Sequence, residues 1–125
     1  MALNKWSVFL SNVLLALCVY AHASDEKVVG NLKRVVDGDT FYLKTGSDNS
    51  IKVRMAFIDA PELNQPFGKD AKAFLKKIEG QRVTIDVKSK DRYGRHVAIL
   101  LHKNADINLL MIENGYAWVY TKYLK

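Results

Sequence analysis

A single change in hydrophobic periodicity constrains the fold of this chain most strongly. Short segments on both sides of residues 68–79 alternate apolar and polar positions or are rich in β-branched and aromatic residues, as half-buried β-strands are. Within residues 68–79 the apolar positions fall at i, i+3, i+4 and i+7, which predicts an amphipathic helix ended by Gly80. The predicted strands occupy residues 28–36, 41–45, 51–58, 83–88 and 96–102. A second helix over residues 107–114 would be capped by Asp106 and Gly115.

This order of elements fits few architectures. Five short strands with one helix between the third and the fourth match the closed barrel of the OB-fold, an α+β fold that is mainly β and here carries two packed helices. A five-stranded open sheet covered by helices would produce the same local patterns, so periodicity alone leaves both possibilities open. The 125 residues have room for one domain.

The first 23 residues have the layout of a secretory signal peptide. A lysine supplies the charged start, an apolar run follows, and A-H-A at residues 21–23 fits the rule for cleavage after Ala23. We therefore expect a leader at residues 1–23, a domain at residues 24–125, and a secreted or periplasmic protein. An uncleaved N-terminal anchor and a lipoprotein signal at Cys18 are the alternatives.

The chain is basic, with 19 lysines and arginines against 13 acidic residues and a formal net charge of +6. A basic domain is compatible with a polyanionic partner, either nucleic acid or an anionic surface. Cys18 is the single cysteine and would leave with the leader. Its loss would exclude disulfides and cysteine-ligated zinc from the domain.

Four carboxylates nevertheless lie close together in sequence, in the runs V-V-D-G-D-T and V-R-M-A-F-I-D-A-P-E. The first run alone is equally consistent with a turn between strands. In the second run Arg54 lies on a predicted strand, and Asp59 and Glu62 follow in a loop, where folds often hold chemistry. If the first hairpin brings Asp39 beside Asp59, the pair would form an oxygen-ligand site suited to Ca²⁺ or Mg²⁺.

The run D-R-Y-G-R at residues 91–95 predicts a hairpin with Gly94 in the left-handed conformation. It also offers Arg95 as a second guanidinium in addition to Arg54. Two arginines, a hard cation and a free carboxylate are the groups that phosphodiester hydrolysis needs. The cation and the arginines offset charge on the phosphoryl oxygens, and the carboxylate orients or deprotonates a water.

Five motifs resemble, in order, the successive motifs of the staphylococcal nuclease (thermonuclease) family. They are V-V-D-G-D-T, V-R-M-A-F-I-D-A-P-E, Q-P-F-G-K-D-A, D-R-Y-G-R and N-G-Y-A-W-V-Y, and they cover roughly residues 28–123. One such motif is a weak signal, whereas five in the family's order are specific. The resemblance implies an OB-fold barrel and calcium-dependent cleavage of DNA and RNA that leaves 3′-phosphate ends.

The resemblance also implies roles by motif position. Asp39 and Asp59 would bind calcium together with the backbone carbonyl of Ala60, where the best-known member has threonine, and Thr40 would contact the ion through water. Arg54 and Arg95 would bind phosphate, Glu62 would act as the general base or position the water, and Asp37 would support the site.

The aromatic tail supplies candidate base contacts. Tyr120 and Tyr123 could stack on bases, which gives affinity without sequence preference. The alternative is that Trp118 and Val119 belong to the core and the tyrosines to the surface. We interpret the remaining polar groups as structural or solvated; they are His96, His102 and the helix lysines Lys69, Lys72, Lys76 and Lys77.

The leading hypothesis is an exported monomeric nuclease with little sequence preference. Its partners would be DNA and RNA, preferably single-stranded or flexible, with no stable membrane association once the leader is removed. The chief alternative is a nuclease-like binding module that has lost catalysis, but such a module should lack at least one of Arg54, Glu62 and Arg95. A protein that binds an anionic surface would explain the charge but not the ordered carboxylates.

Overall fold

The computed structural model describes residues 26–123, without the side chain of Tyr123. The predicted leader, its cleavage site and the first residues of the predicted domain lie outside the described residues. The strands are β1 (Glu26–Asp37), β2 (Thr40–Lys44), β3 (Ser50–Met55), β4 (Ile58–Asp59), β5 (Arg82–Lys90), β6 (His96–His102), β7 (Ala105–Asp106) and β8 (Trp118–Val119). The helices are α1 (Gly68–Lys76) and α2 (Ile107–Glu113), and a 3-10 turn follows at Thr121–Tyr123.

Five of these strands form a closed barrel. β3, β2, β1, β5 and β6 are neighbours in that order through antiparallel pairs, and a parallel pairing between β3 and β6 joins the two ends. β1 pairs with two strands. Its first half pairs with β5 and its second half pairs with β2. The pairing with β2 contains two register shifts. The closed barrel with two helices confirms the predicted OB-fold and excludes the open sheet.

The alternation of buried and exposed side chains along β3 shows which of its residues fill the barrel. Val53 and Met55 are fully buried, whereas Lys52 is exposed, as the period of two predicts. Arg54 departs from that pattern, because it lies on the polar face and is nevertheless only 8% exposed. A buried guanidinium requires compensating partners, which the loop after β3 provides.

The chain reverses direction directly after β3. The sequence predicted one strand through residue 58, and this was wrong: β3 ends at Met55 and β4 begins at Ile58. Phe57 lies between them with φ of 65°, a conformation that a bulky residue rarely adopts and that periodicity cannot detect. The reversal turns Ile58 and Asp59 back toward Arg54.

Helix α1 packs on the barrel through the predicted apolar face. Ala71 and Leu75 are fully buried in the core. The regular helix ends at Lys76, three residues before the predicted end, and the chain continues as a turn to Gly80. Gly80 has φ of 85° and donates its N–H to the carbonyl of Leu32 at 2.6 Å, so it ends the helical segment as expected.

Helix α2 begins and ends as predicted. Asp106 caps it by accepting the N–H of Leu109 at 2.9 Å, and Gly115 follows the helix with φ of 75°. Asn108, which no sequence pattern singled out, is buried and joins α2 to the barrel. Its amide donates to the carbonyl of Ala56 at 2.9 Å, and its Oδ1 accepts the N–H of Leu100 at 2.9 Å.

Candidate active site

The D-G-D-T run forms a tight turn between β1 and β2. Asp37 Oδ1 accepts the backbone N–H of Asp39 at 3.1 Å, which closes the turn. A Cβ on Gly38 would lie 2.7 Å from the Cβ of Ala71 and 2.8 Å from that of Ala60. Glycine is therefore required because α1 and the second acidic loop approach this backbone closely, and not because of an unusual φ.

Asp39 connects the two acidic runs. Its side chain is buried, with Oδ1 accepting the hydroxyl hydrogen of Thr40 at 3.0 Å and Oδ2 accepting the backbone N–H of Ala60 at 2.8 Å. Its own carbonyl accepts the N–H of Met55 at 2.8 Å. The turn, the end of β3 and the loop after β4 are thus fixed to one another through a single residue.

The guanidinium of Arg54 lies between two carboxylates. Nη2 is 3.3 Å from Asp39 Oδ2 and 3.1 Å from Asp59 Oδ1. Nη1 donates to the carbonyls of Met55 at 2.8 Å and Ile58 at 3.0 Å. The guanidinium is therefore held by four acceptors. Asp39 and Asp59 lie close together, as expected, and both contact this guanidinium.

A cleft of about 440 Å³ opens next to this cluster. Its lining contains four basic side chains and two acidic ones, and this surplus of positive charge suits a phosphate backbone. The residues lining it are Arg54, Asp59, Asp91, Arg92, Tyr93, Arg95, Tyr120 and Lys122. The structure thus brings Arg54, Arg95 and Tyr120 to one surface, although they are far apart in sequence.

Arg95 is oriented by the hairpin that precedes β6. Its Nε donates to Asp91 Oδ2 at 2.7 Å, while Asp91 Oδ1 accepts the backbone N–H groups of Tyr93 and Arg95 at 3.0 Å each. Gly94 has φ of 77°, as predicted for this turn. Burial would raise the pKa of Asp91, but the hydrogen bonds and the charge of Arg95 outweigh it and leave this pKa below its ordinary value.

Tyr93 is a cleft residue that the sequence did not single out. Its ring is 68% exposed and has the guanidinium carbons of Arg92 and Arg95 at 4.9 and 5.5 Å from its centroid. Arg92 also donates to the Tyr93 hydroxyl at 2.7 Å. The ring therefore packs against both arginines of the hairpin.

Glu62 lies on the loop between β4 and α1. Its side chain is exposed and is not among the residues that line the cleft, although Glu62 follows Asp59 by three positions. Its backbone N–H donates to Gln65 Oε1 at 2.7 Å, and its carbonyl accepts the N–H of Gln65 at 2.9 Å. The loop backbone around Glu62 is thus ordered by its own hydrogen bonds.

The aromatic tail contributes one described tyrosine to the cleft. Tyr120 lines the cleft, and the side chain of Tyr123 lies outside the described residues. Trp118 and Val119 are 51% and 57% exposed, so the alternative that placed them in the core was wrong. β8 pairs only with the two-residue strand β4, which leaves its side chains near the surface.

The other polar groups singled out in the sequence lie on β6, on α1 and in the turn after α1. His96 and His102 are half-buried at the two ends of β6. Among the lysines of α1 and the turn that follows, Lys69, Lys76 and Lys77 are exposed and Lys72 is half-buried.

Asp37 lies close to Asp39 without touching Arg54 in any described contact. Burial and the neighbouring Asp39 carboxylate raise the pKa of Asp37 above its ordinary value. Asp37 and Asp39 thus place two carboxyl groups at one turn.

The donor atoms at this point fit a hard divalent cation. Asp39 and Asp59 present carboxylate oxygens on either side of one guanidinium, and the hydroxyl of Thr40 is bonded to Asp39. Within residues 26–123 no three histidine, cysteine or acidic side chains form a group that could hold a metal. Calcium takes six to eight oxygen ligands, so this chain would supply only part of the set and leave positions for water and substrate.

Comparison with known proteins gives a consistent set of relatives. Residues 52–125 match the family described as staphylococcal nuclease homologue. An uncharacterized endonuclease of Haemophilus influenzae is 39% identical over 117 residues, which cover 93% of this chain and 66% of that protein. A micrococcal nuclease of Shigella flexneri is 35% identical over 77% of this chain and 60% of that protein. The endonuclease YhcR of Bacillus subtilis is 37% identical over 73% of this chain and 9% of that protein. The chain spans at most about two thirds of the length of these relatives.

Proposed function

The chain belongs to the staphylococcal nuclease family, and we propose that it is a nuclease that hydrolyses phosphodiester bonds of DNA and RNA with little sequence preference. In this proposal the reaction depends on calcium and leaves 3′-phosphate ends. Relatives named endonuclease and micrococcal nuclease support the activity, and the family resemblance supports the metal and the products.

One observation carries the proposal. Arg54 lies between Asp39 and Asp59 at the edge of a positively lined cleft that also contains Arg95. A phosphodiester in this cleft would meet two guanidiniums, each of which is already oriented by carboxylate partners. Preorganised donors of this kind stabilise charge that develops on phosphoryl oxygens.

The cation would be held by the carboxylates of Asp39 and Asp59 and the carbonyl of Ala60, with Thr40 contributing through water. When bound, calcium would offset negative charge on the phosphate. Arg54 keeps the two carboxylates from repelling each other and presents its guanidinium to the substrate. Asp37 closes the turn that positions Asp39 and so supports the site.

Glu62 would orient or deprotonate the attacking water. Its place three residues after Asp59, in the motif shared with the family, supports this role. Catalytic contacts often shorten only when substrate is bound, so the exposed position of Glu62 in this structure is compatible with the role.

The lining of the cleft supports the proposed substrate class. Tyr120 would stack on a base, and Tyr123 is proposed for the same surface, so that single-stranded or flexible nucleic acid is preferred. We further propose that the protein acts as a monomer, without stable membrane association, after export and cleavage behind Ala23. Within residues 26–123 no helix is long and apolar enough to cross a membrane.

Incubation of the full chain with denatured DNA and with RNA, in calcium or in a chelator, tests this function. We expect cleavage in calcium only, with products that accept a 5′-label directly but need a phosphatase before 3′-extension. Folded protein that binds nucleic acid yet cleaves none of it would instead identify an inactive binding module. Extension of the products without phosphatase would overturn the assignment of 3′-phosphate ends.

A further inference from the structure

A second concave surface lies beside the candidate active site. It is a groove of about 410 Å³ between the loop that precedes α1 and the strand β8. Its walls include Pro61, Gln65, Pro66, Phe67, Tyr116 and Trp118. Among the described residues no charged side chain lines it, which contrasts with the four basic residues of the neighbouring cleft. Its volume is within the usual range for small-ligand sites.

Two aromatic side chains of this groove are open to solvent. Phe67 is 70% exposed and Trp118 is 51% exposed. Tyr116, the third aromatic residue of the groove, packs its ring against Phe74 with the ring centroids 4.9 Å apart. This contact holds the Tyr116 ring in place. A cluster of exposed aromatic surface on a small protein generally marks a binding surface.

The backbone holds Phe67 in a costly conformation. Its φ is 66°, which for a bulky residue costs on the order of 1–3 kcal/mol and persists only where surrounding structure imposes it. The surrounding turn is closely packed, because the N–H of Gly68 donates to the carbonyl of Gln65 at 3.1 Å and a Cβ on Gly68 would collide with the carbonyl of Glu62. The ring is therefore presented to solvent from a preorganised turn.

The groove and the cleft are connected by the short two-stranded ladder of β4 and β8. Asp59 of the cleft is paired with Trp118 of the groove in the β4–β8 ladder, and Pro61 of the groove follows Asp59 by two residues. A strand of nucleic acid with a phosphate at Arg54 would therefore carry an adjacent nucleotide toward the groove.

We propose that this groove binds a nucleobase of a single-stranded nucleic acid, next to the nucleotide whose phosphate lies in the cleft; the proposal rests on the proposed nuclease function. Uncharged aromatic walls can stack on the face of any base, whereas a phosphate would find no counter-charge there. Gln65 uses Oε1 to accept the N–H of Glu62, and its Nε2 can donate to a base edge. A second copy of the chain is less suitable as occupant, because two molecules of net charge +6 repel.

Binding of a labelled single-stranded oligonucleotide to the full chain in a chelator, which leaves the strand intact, tests the groove. We expect Phe67→Ala and Trp118→Ala each to weaken binding roughly 5-fold or more, as loss of one stacked base does. Phe67→Tyr should keep the wild-type affinity. Leu109→Ala is the matched control, because this side chain is 50% exposed and apolar but lies on α2 outside both concavities.

An oligonucleotide with abasic sites separates stacking from phosphate contacts. Wild-type protein should bind it more weakly, Phe67→Ala should cause no further loss, and the salt dependence of binding should match between the two proteins. An equal loss on abasic and normal strands would overturn the proposal.

Cleavage in calcium, measured on the same proteins, distinguishes failure of the groove from failure of the function. If the wild type cleaves DNA while both alanine variants bind it unchanged, the groove assignment is wrong and the nuclease stands. If the wild type neither binds nor cleaves, the function fails and the groove assignment fails with it. A wild-type dimer that Phe67→Ala abolishes, with unchanged oligonucleotide affinity, would assign the groove to a second copy and overturn the proposal.

Discussion

The carboxylate of Asp39 accepts the backbone N–H of Ala60 at 2.8 Å, although the two residues are 21 positions apart. This hydrogen bond joins the two acidic runs. From the sequence alone their proximity was a hypothesis that depended on how the first hairpin folds. Because Arg54 lies 3.3 Å from the same oxygen, one carboxylate fixes both the arginine of β3 and the backbone of the following loop. Stability and site geometry are therefore coupled at this point.

Gly38→Ala should lower the free energy of unfolding by about 1–3 kcal/mol, because the added Cβ overpacks the contact with Ala71 and Ala60. Chemical denaturation measures the change. Gly46→Ala is the matched control, since nothing lies within 4 Å of its Cβ. Combining Gly38→Ala with Ala71→Gly should restore part of the loss, and equal stability of the two single variants would contradict the close approach.

Arg54→Ala should destabilise the metal-free protein by about 3 kcal/mol, because Asp39 and Asp59 lose their shared counter-charge. Calcium should then raise the melting temperature of this variant more than that of the wild type, since the cation takes over the neutralisation. Thermal unfolding with and without calcium measures both effects. The exposed Arg82→Ala should behave as the wild type, and an equal calcium shift in all three proteins would argue against a cation at these carboxylates.

Arg95→Ala should lower kcat about 10²- to 10³-fold, which is the usual cost of removing one donor to a developing anion. The stability change should be small, because the ion pair with Asp91 lies near the surface and such pairs contribute little. Steady-state cleavage kinetics on denatured DNA supply the measurement. Retention of most turnover would remove Arg95 from the proposed catalytic groups.

Glu62→Gln should lower kcat about 10²- to 10⁴-fold, because the amide cannot take a proton from water. Its exposed side chain makes no contact that the amide would lose, so the free energy of unfolding should stay within about 0.5 kcal/mol of wild type. Glu113→Gln, on the exposed part of α2, controls for loss of one negative charge. If the two variants turn over equally fast, the assigned role of Glu62 is wrong.

Asp91→Asn should change the acid sensitivity of stability. The folded-state pKa of Asp91 is lowered below 3.8, so the unfolded chain binds more protons in that range and the ion pair stabilises the fold above about pH 4. Asparagine keeps the Oδ1 acceptor and loses the charge, which should cost up to about 1 kcal/mol at neutral pH. The difference in free energy of unfolding between the wild type and Asp91→Asn should disappear as pH falls through the folded-state pKa of Asp91. A difference that stays unchanged in acid would contradict the ion pair as its source.

The barrel could be predicted because its signals are local. The single change of period at residues 68–79 separates three strands from two, and Asp106 and Gly115 mark both ends of α2. The motif positions of Asp39 and Asp59 likewise anticipated their approach. Each of these depends on residue type and spacing, which the sequence carries directly.

The missed features depend on contacts between distant parts of the chain. The reversal at Phe57 requires a left-handed aromatic residue, for which sequence patterns give no signal. The need for Gly38 arises from Ala60 and Ala71, and Asn108 resembles any helix-surface amide until the barrel buries it. The exposure of Phe67 and Trp118 likewise runs against the expectation that large apolar residues pack inside.

The parallel pairing of β3 with β6 bears on when the candidate cleft can form during folding. Arg54 on β3 is paired with Val97 on β6. β3 therefore gains its second neighbouring strand only after the chain beyond Val97 is available. Contacts between such distant positions form late, because the intervening loop must first be closed. A chain in which β3 and β6 are not yet paired therefore lacks the alignment that brings Arg95, just before β6, to the cleft that Arg54 lines. Barrel closure is thus the step that completes the candidate cleft.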